Sequence, residues 1–121
     1  MIKISLTNPV ECYRPGQLLR GQLKWNNLAE ETTKVELRLI WYTQGKGNQD
    51  FGIASAKPVF QPSREGQVQF QFKCPSRPFS FSGRLIKLRW ALEAIEFPSQ
   101  NAERQLISIS PTGNVVKLHV D

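Results

Sequence analysis

"YRPGQLLRGQLKW", residues 13–25, joins a turn signal to strict alternation, and together these decide the fold. In Arg14-Pro15-Gly16-Gln17, proline presets φ at the second position of a type II turn and glycine accepts the positive φ at the third. The turn feeds directly into a segment where Leu19, Gly21, Leu23 and Trp25 alternate with Leu18, Arg20, Gln22 and Lys24. A period of two is the mark of a strand with one buried face. Gly21 falls on the inward face, where a missing side chain leaves room for a bulky facing one or marks a bulge. Both glycines therefore have structural work, and neither belongs to a phosphate-binding loop, because no GxGxxG or GxxxxGK[ST] pattern is present.

The same period recurs along the chain. Val68, Phe70, Phe72 and Cys74 alternate with Gln67, Gln69, Gln71 and Lys73. Ile86, Leu88, Trp90, Leu92 and Ala94 share a face opposite Lys87, Arg89 and Glu93. Val35, Leu37, Leu39 and Trp41 alternate with Glu36, Arg38, Ile40 and Tyr42, with apolar residues on both faces near the end of the run. Shorter strands are expected over 2–6, 52–60, 105–109 and 115–120. Turn formers separate these runs at Asn8-Pro9, 45–48, Pro62-Ser63, 75–83, 97–101 and 111–114. Residues 28–34 allow one helical turn, and 84–96 contain good helix formers, but their clean alternation favours strand. About eight short strands between turn signals predict an all-β, immunoglobulin-like antiparallel β-sandwich. The 121 residues, with no repeat or linker, read as a single domain over 1–121.

Composition narrows the classes. No apolar run approaches the roughly 20 residues of a membrane span, and the first residues lack the apolar stretch of a secretory signal. Read as complete, the chain is expected in the cytoplasm, with Cys12 and Cys74 as free thiols rather than a bridge. The net charge of +6 is scattered rather than gathered in a basic arm. The single histidine, His119, lies near the C-terminus and is expected in solvent rather than in catalysis. One histidine and two distant cysteines offer no zinc-type spacing, and too few aspartates are present for a calcium loop. No cofactor, metal or small-molecule substrate is expected. Trp25, Trp41 and Trp90 all fall on inward faces and read as core.

Tyr13-x-Pro15-Gly16-x-x-Leu19-x-Gly21-x-Leu23 resembles the first signature of arrestin-like domains. Cys74-Pro75, then Pro78-Phe79-Ser80-Phe81-Ser82-Gly83, then the alternation from Ile86 to Ala94 around Trp90 resembles that family's proline/serine/glycine loop and the long strand after it. The chain departs from the pattern at Gln17, where an acidic residue is usual. The resemblance implies an arrestin-like sandwich in single-domain form, acting as an adaptor or scaffold that binds proteins and is not an enzyme. Two tandem sandwiches are usual in the family, so it also implies a neighbouring sandwich, for which a second copy of the chain could stand in.

The residues expected to bind a protein partner are Arg38, Lys73, Arg84, Lys87 and Arg89, which point outward, with Arg20 and Lys24 also outward, and Phe79 and Phe81 in the loop. The partner expected is a protein, acidic or phosphorylated, docked on a sheet face or a strand edge. The alternative is an electrostatic binder of anionic surfaces, membrane or nucleic acid, with strong salt dependence and little selectivity.

Overall fold

The computed structural model describes residues 1–45, 49–78, 80–82, 86–112 and 116–117. Among these it contains nine strands and no helix. They are β1 (Ile2–Leu6), β2 (Leu18–Trp25), β3 (Lys34–Gly45), β4 (Phe51–Phe60), β5 (Gly66–Lys73), β6 (Phe81–Ser82), β7 (Ile86–Phe97), β8 (Ala102–Ile107) and β9 (Val116–Lys117). One sheet runs β1-β2-β5; the other runs β4-β3-β7-β6-β9, with β8 also on β7. The pairs are antiparallel except β6 with β9, which are parallel.

The alternation in the sequence becomes the inside and the outside of a sandwich. Leu19, Leu23, Phe70 and Phe72 from the smaller sheet pack in one core with Val35, Leu37, Leu39, Trp90 and Leu92 from the larger. Trp90 is fully buried, and its indole N–H donates to the Pro78 carbonyl at 2.8 Å. Trp25 is buried and donates to the Ser63 carbonyl at 2.8 Å, while Trp41 is half-buried against the core. Each indole thus covers apolar surface without leaving a buried donor unpaired.

The turn of residues 14–17 forms as its residues dictate. The Gln17 amide donates to the Arg14 carbonyl at 3.0 Å, and Gly16 holds φ +83°. Half-buried Pro15 precedes it. Tyr13 is 1% exposed, and its hydroxyl donates to the Asn8 carbonyl at 2.9 Å. Its backbone pairs with the segment around Ile109, so the tyrosine pins the turn to the far end of the chain. Gly21 has a specific reason to lack a side chain. It lies opposite Phe70, and a Cβ there would sit 2.3 Å from the Ser5 carbonyl oxygen and 2.6 Å from the Phe70 ring. The bulky facing group is therefore on the neighbouring strand, not on the opposite sheet. Gly52 under Trp41 and Gly66 under Trp25 repeat the arrangement across their own strand pairs.

The departures are local. β6 lies inside the segment read as a loop, and β8 spans 102–107 rather than 105–109. Residues 28–34 make a single turn, with the Thr32 amide on the Ala29 carbonyl at 3.0 Å. On the outer face of the larger sheet Ile40, Ala91 and Ile95 are buried, so both faces of β3 and β7 are partly covered.

Candidate functional site

The outward cations fall on two different surfaces. Strands β1, β2 and β5 contain no Asp or Glu. Their outer face carries Lys3, Arg20, Lys24 and Lys73, all exposed, among Ser5, Gln22, Gln67, Gln69 and Gln71. The register sets Lys3 directly opposite Lys24. At the other end Arg20 faces Gln71 and Lys73 faces Leu18, so Arg20 and Lys73 are diagonal neighbours. Like charges placed opposite each other destabilise a strand pair, and among the described residues none of these four cations forms an ion pair. The Arg20 Nε instead donates to the Gln71 Oε1 at 3.2 Å. Two shallow hollows mark the ends of the face. Met1, Lys3, Lys24, Glu65 and Gln67 line one of about 420 Å³; Arg20, Lys57, Gln69 and Gln71 line the other, of about 370 Å³.

Arg38, Lys87 and Arg89 lie on the outer face of the larger sheet, away from Lys73. There part of the charge is neutralised, while Lys87 and Arg89 form no ion pair among the described residues. Glu36 holds both Arg38 and Lys34, the latter at 3.6 Å, and Glu93 holds Arg104 at 2.6 Å. Partial burial pushes the Glu36 carboxyl up, but the hydrogen bond and charge of Arg38, with the charge of Lys34, outweigh it and hold the group below the usual carboxylate range. The Arg89 Nε donates to the Gln44 Oε1 at 2.7 Å, and the Arg104 guanidinium lies 4.8 Å from the centre of the Tyr42 ring.

Lys87, Arg89 and Phe81 do meet, in a cleft of about 290 Å³. It opens where β6 and β8 leave Arg89 between them on the edge of β7, and Val10, Glu11 and Ser108 close it. Phe81 is half-buried against the core, so its side chain packs rather than projects. Phe79, Gly83, Arg84 and His119 lie outside the described residues. Lys3 was missed from the sequence, although its place between Ile2 and Ile4 carried the signal.

Cys12 and Cys74 are free and buried. Burial, with Cys12 nearby, pushes the Cys74 thiol up to about 11, which leaves it protonated and unreactive. Among the described residues no group of three or more His, Cys, Asp and Glu gathers, and no helix is long and apolar enough to cross a membrane.

Neither a protein-family model nor a curated protein matches the chain. Solved structures do. Spo0M, a sporulation control protein from Bacillus subtilis, is 17% identical over 90% of this chain and 48% of its own, with a TM-score of 0.58. The chain thus spans about half the length of that protein. A superoxide reductase (neelaredoxin) from Ignicoccus hospitalis is 17% identical over 90% of this chain and 80% of its own, with a TM-score of 0.47. A β-glucosidase from Listeria innocua is 13% identical over 96% of this chain and 16% of its own, with a TM-score of 0.48. The likeness to Spo0M supports the β-sandwich fold and is consistent with an arrestin-like one. One expectation was that the chain is not an enzyme. That expectation is corrected: the solved structures similar to the chain include a superoxide reductase and a β-glucosidase. At these identities the likeness concerns fold and assigns no activity.

Proposed function

We propose that the chain is a single arrestin-like sandwich domain that works as a protein-interaction module, an adaptor or scaffold, and that the outer face of its smaller sheet docks an acidic protein segment. The observation that carries this reading is the directly opposed pair Lys3 and Lys24 on strands without a single carboxylate. A fold gains nothing from that pairing; a carboxylate-bearing partner does. Arg20 and Lys24 stand four residues apart on β2, about 13 Å at strand rise, with glutamines between them. Acidic side chains at alternate positions of an extended segment match that spacing. Among the described residues the strands of this face offer no exposed aromatic ring for base stacking, and Met1 beside Lys3 is a lone large apolar side chain at its edge, too little to enter a bilayer, which favours a protein over nucleic acid or membrane. Two buried free thiols support a reducing compartment, the cytoplasm, as its location.

The test is titration of a labelled acidic peptide, glutamate at alternate positions, at low and high salt. Lys3→Glu with Lys24→Glu is expected to weaken binding about tenfold or more and flatten its salt dependence. Lys87→Glu with Arg89→Glu, on the other sheet, leaves binding nearly unchanged. Retained binding in the folded first variant, or loss in the second, moves the site elsewhere. The absence of carboxylates also favours a second reading, an unselective binder of anionic surfaces. Equal affinity for anionic vesicles or duplex DNA would select it.

A further inference from the structure

The edge strand β4 of the larger sheet presents a different surface. Its outward side chains Phe51, Ile53, Ala56, Pro58 and Phe60 are all exposed, with Phe51 at 55%, Ile53 at 48% and Phe60 at 69%. The register continues this row inward, Ile53 opposite Ile40, Ile40 opposite Ala91 and Ala91 opposite Leu106; Ile40 and Ala91 are already buried, and Leu106, 50% exposed, reaches solvent again beyond them. Four of the six exposed large apolar side chains among the described residues lie on this one face, and three of them, with Ala56 and Pro58, form one column on β4. The only charged side chain on β4 is that of Lys57, which donates to the Gln69 carbonyl of the other sheet at 3.0 Å. In the row of Ala56, Arg38 and Arg104 are held by Glu36 and Glu93.

Extension of the sheet by another strand at β4 is disfavoured. Pro58 has no N–H to donate, and the register shift beside Ala54 bends the edge. The contact is therefore made by the face. From either end the outward residues read the same way: Phe51 then Ile53 from one, Phe60 then Pro58 from the other, with the small Ala54, Ser55 and Ala56 between. Two copies crossing antiparallel over Ser55 and Ala56 would set Phe51 of each against Phe60 of the other, and Ile53 against Pro58. That reciprocity is what a two-fold interface requires. Charge points the same way. Two chains of net charge +6 repel wherever their unpaired cations meet, as on the smaller sheet, whereas β4 turns no charge outward. We propose that the outer face of β4 and its row of neighbours is the interface of a symmetric homodimer. The ten residues of β4 run roughly 33 Å, and the single row from Ile53 to Leu106 spans roughly 14 Å across four strands, at the small end of specific interfaces, so the dimer forms in a concentration-dependent way.

Sedimentation of the whole chain from about 1 to about 500 μM tests this. The mass is expected to rise from the 13.8 kDa of one chain toward twice that, with association maintained in high salt. Ala56→Arg sets like charges face to face at the crossing and should weaken dimerisation about tenfold or more. Phe60→Ser should do the same, and both positions are exposed, so the variants should keep the wild-type melting curve. A mixture of Phe51→Cys and Phe60→Cys chains should form an inter-chain disulfide faster than either variant alone. A chain that stays at 13.8 kDa at the highest concentration, a dimer as strong in folded Ala56→Arg, faster cross-linking within Phe51→Cys alone, or a dimer lost in Lys3→Glu with Lys24→Glu overturns the proposal.

Discussion

The two outer faces of the sandwich come from the same alternation and end as opposite surfaces. On the smaller sheet every outward cation stands free of an ion pair, and glutamines fill the rows between. On the larger sheet Arg38 and Arg104 are held by carboxylates, and the exposed positions near the edge are apolar. The smaller face leaves all its cations unpaired, and the larger pairs Arg38 and Arg104 but exposes an apolar column at its edge. Each defect costs stability when the chain is alone, and each is removed by a different kind of partner. The free charges call for an acid and the apolar column for another apolar surface. A sandwich with one such face needs only a single neighbour; under the two proposals above this one takes two at once, which is the property a scaffold requires.

The largest change should come from removing the support of one face only. Gly21→Val would drive a side chain into the Ser5 carbonyl and the Phe70 ring, so β1 and β5 must move away from β2. Overpacking of this kind costs about 1–3 kcal/mol and sometimes more. Because the smaller sheet moves, acidic-peptide binding should fall in a chain that still dimerises through β4. Denaturant unfolding reads the first effect, and peptide titration beside sedimentation reads the second. Equal loss of both activities would show that the faces are not independent.

A smaller effect has the less usual sign. Lys24→Glu replaces a like-charged pair with an attractive one against Lys3. Cross-strand pairs of opposite charge contribute roughly 0.2–1 kcal/mol. The variant should melt slightly above the wild type while it binds an acidic peptide more weakly. Such a trade separates a docking face from a merely solvated one. A variant that melts lower, or that binds as well as the wild type, would mean that Lys24 neither strains the sheet nor faces the partner.

Much of this was legible in the sequence, and the limits have physical causes. Alternation fixes which way a side chain points. So β1 and β2 read with their observed bounds, and β7 read as strand in spite of its helix formers. Alternation does not say which strands pair. Lys73 and Arg89 both point outward, yet register alone reveals that they lie on different sheets. β6 escaped because its two residues have no period of their own. It is held from a distance, by the Ser80 hydroxyl that accepts from the Ile109 amide at 2.9 Å and by pairing with β7. The column on β4 was hidden by the register shift beside Ala54, which brings Ile53 and Ala56 to one face although two residues lie between them. The opposed lysines were half visible. Lys24 reads as outward, while β1 is too short to draw attention to Lys3.

The smallest expected effect separates the faces by pH. Glu36 has its carboxyl held below the usual range by Arg38 and Lys34, against the upward push of burial. A carboxyl lowered in the folded state stabilises the fold above its ordinary value, here 4.5, and that contribution is lost as pH falls through the lowered value. Glu36→Gln removes it at every pH. The gap between wild type and variant should therefore be present above pH 4.5, narrow below it, and close once Glu36 is protonated. It should stay within about 1 kcal/mol, since the group is near the surface and reached by solvent. The smaller sheet has no carboxylate on its strands, so Lys3→Gln should shift stability by an amount that stays more nearly constant across the same acid range. The two unfolding series, measured side by side, test the contrast directly. A Glu36→Gln gap that does not change with pH would mean that Arg38 and Lys34 do not hold this carboxylate. Arg38 and Lys34 would then be no better satisfied than the cations of the smaller sheet.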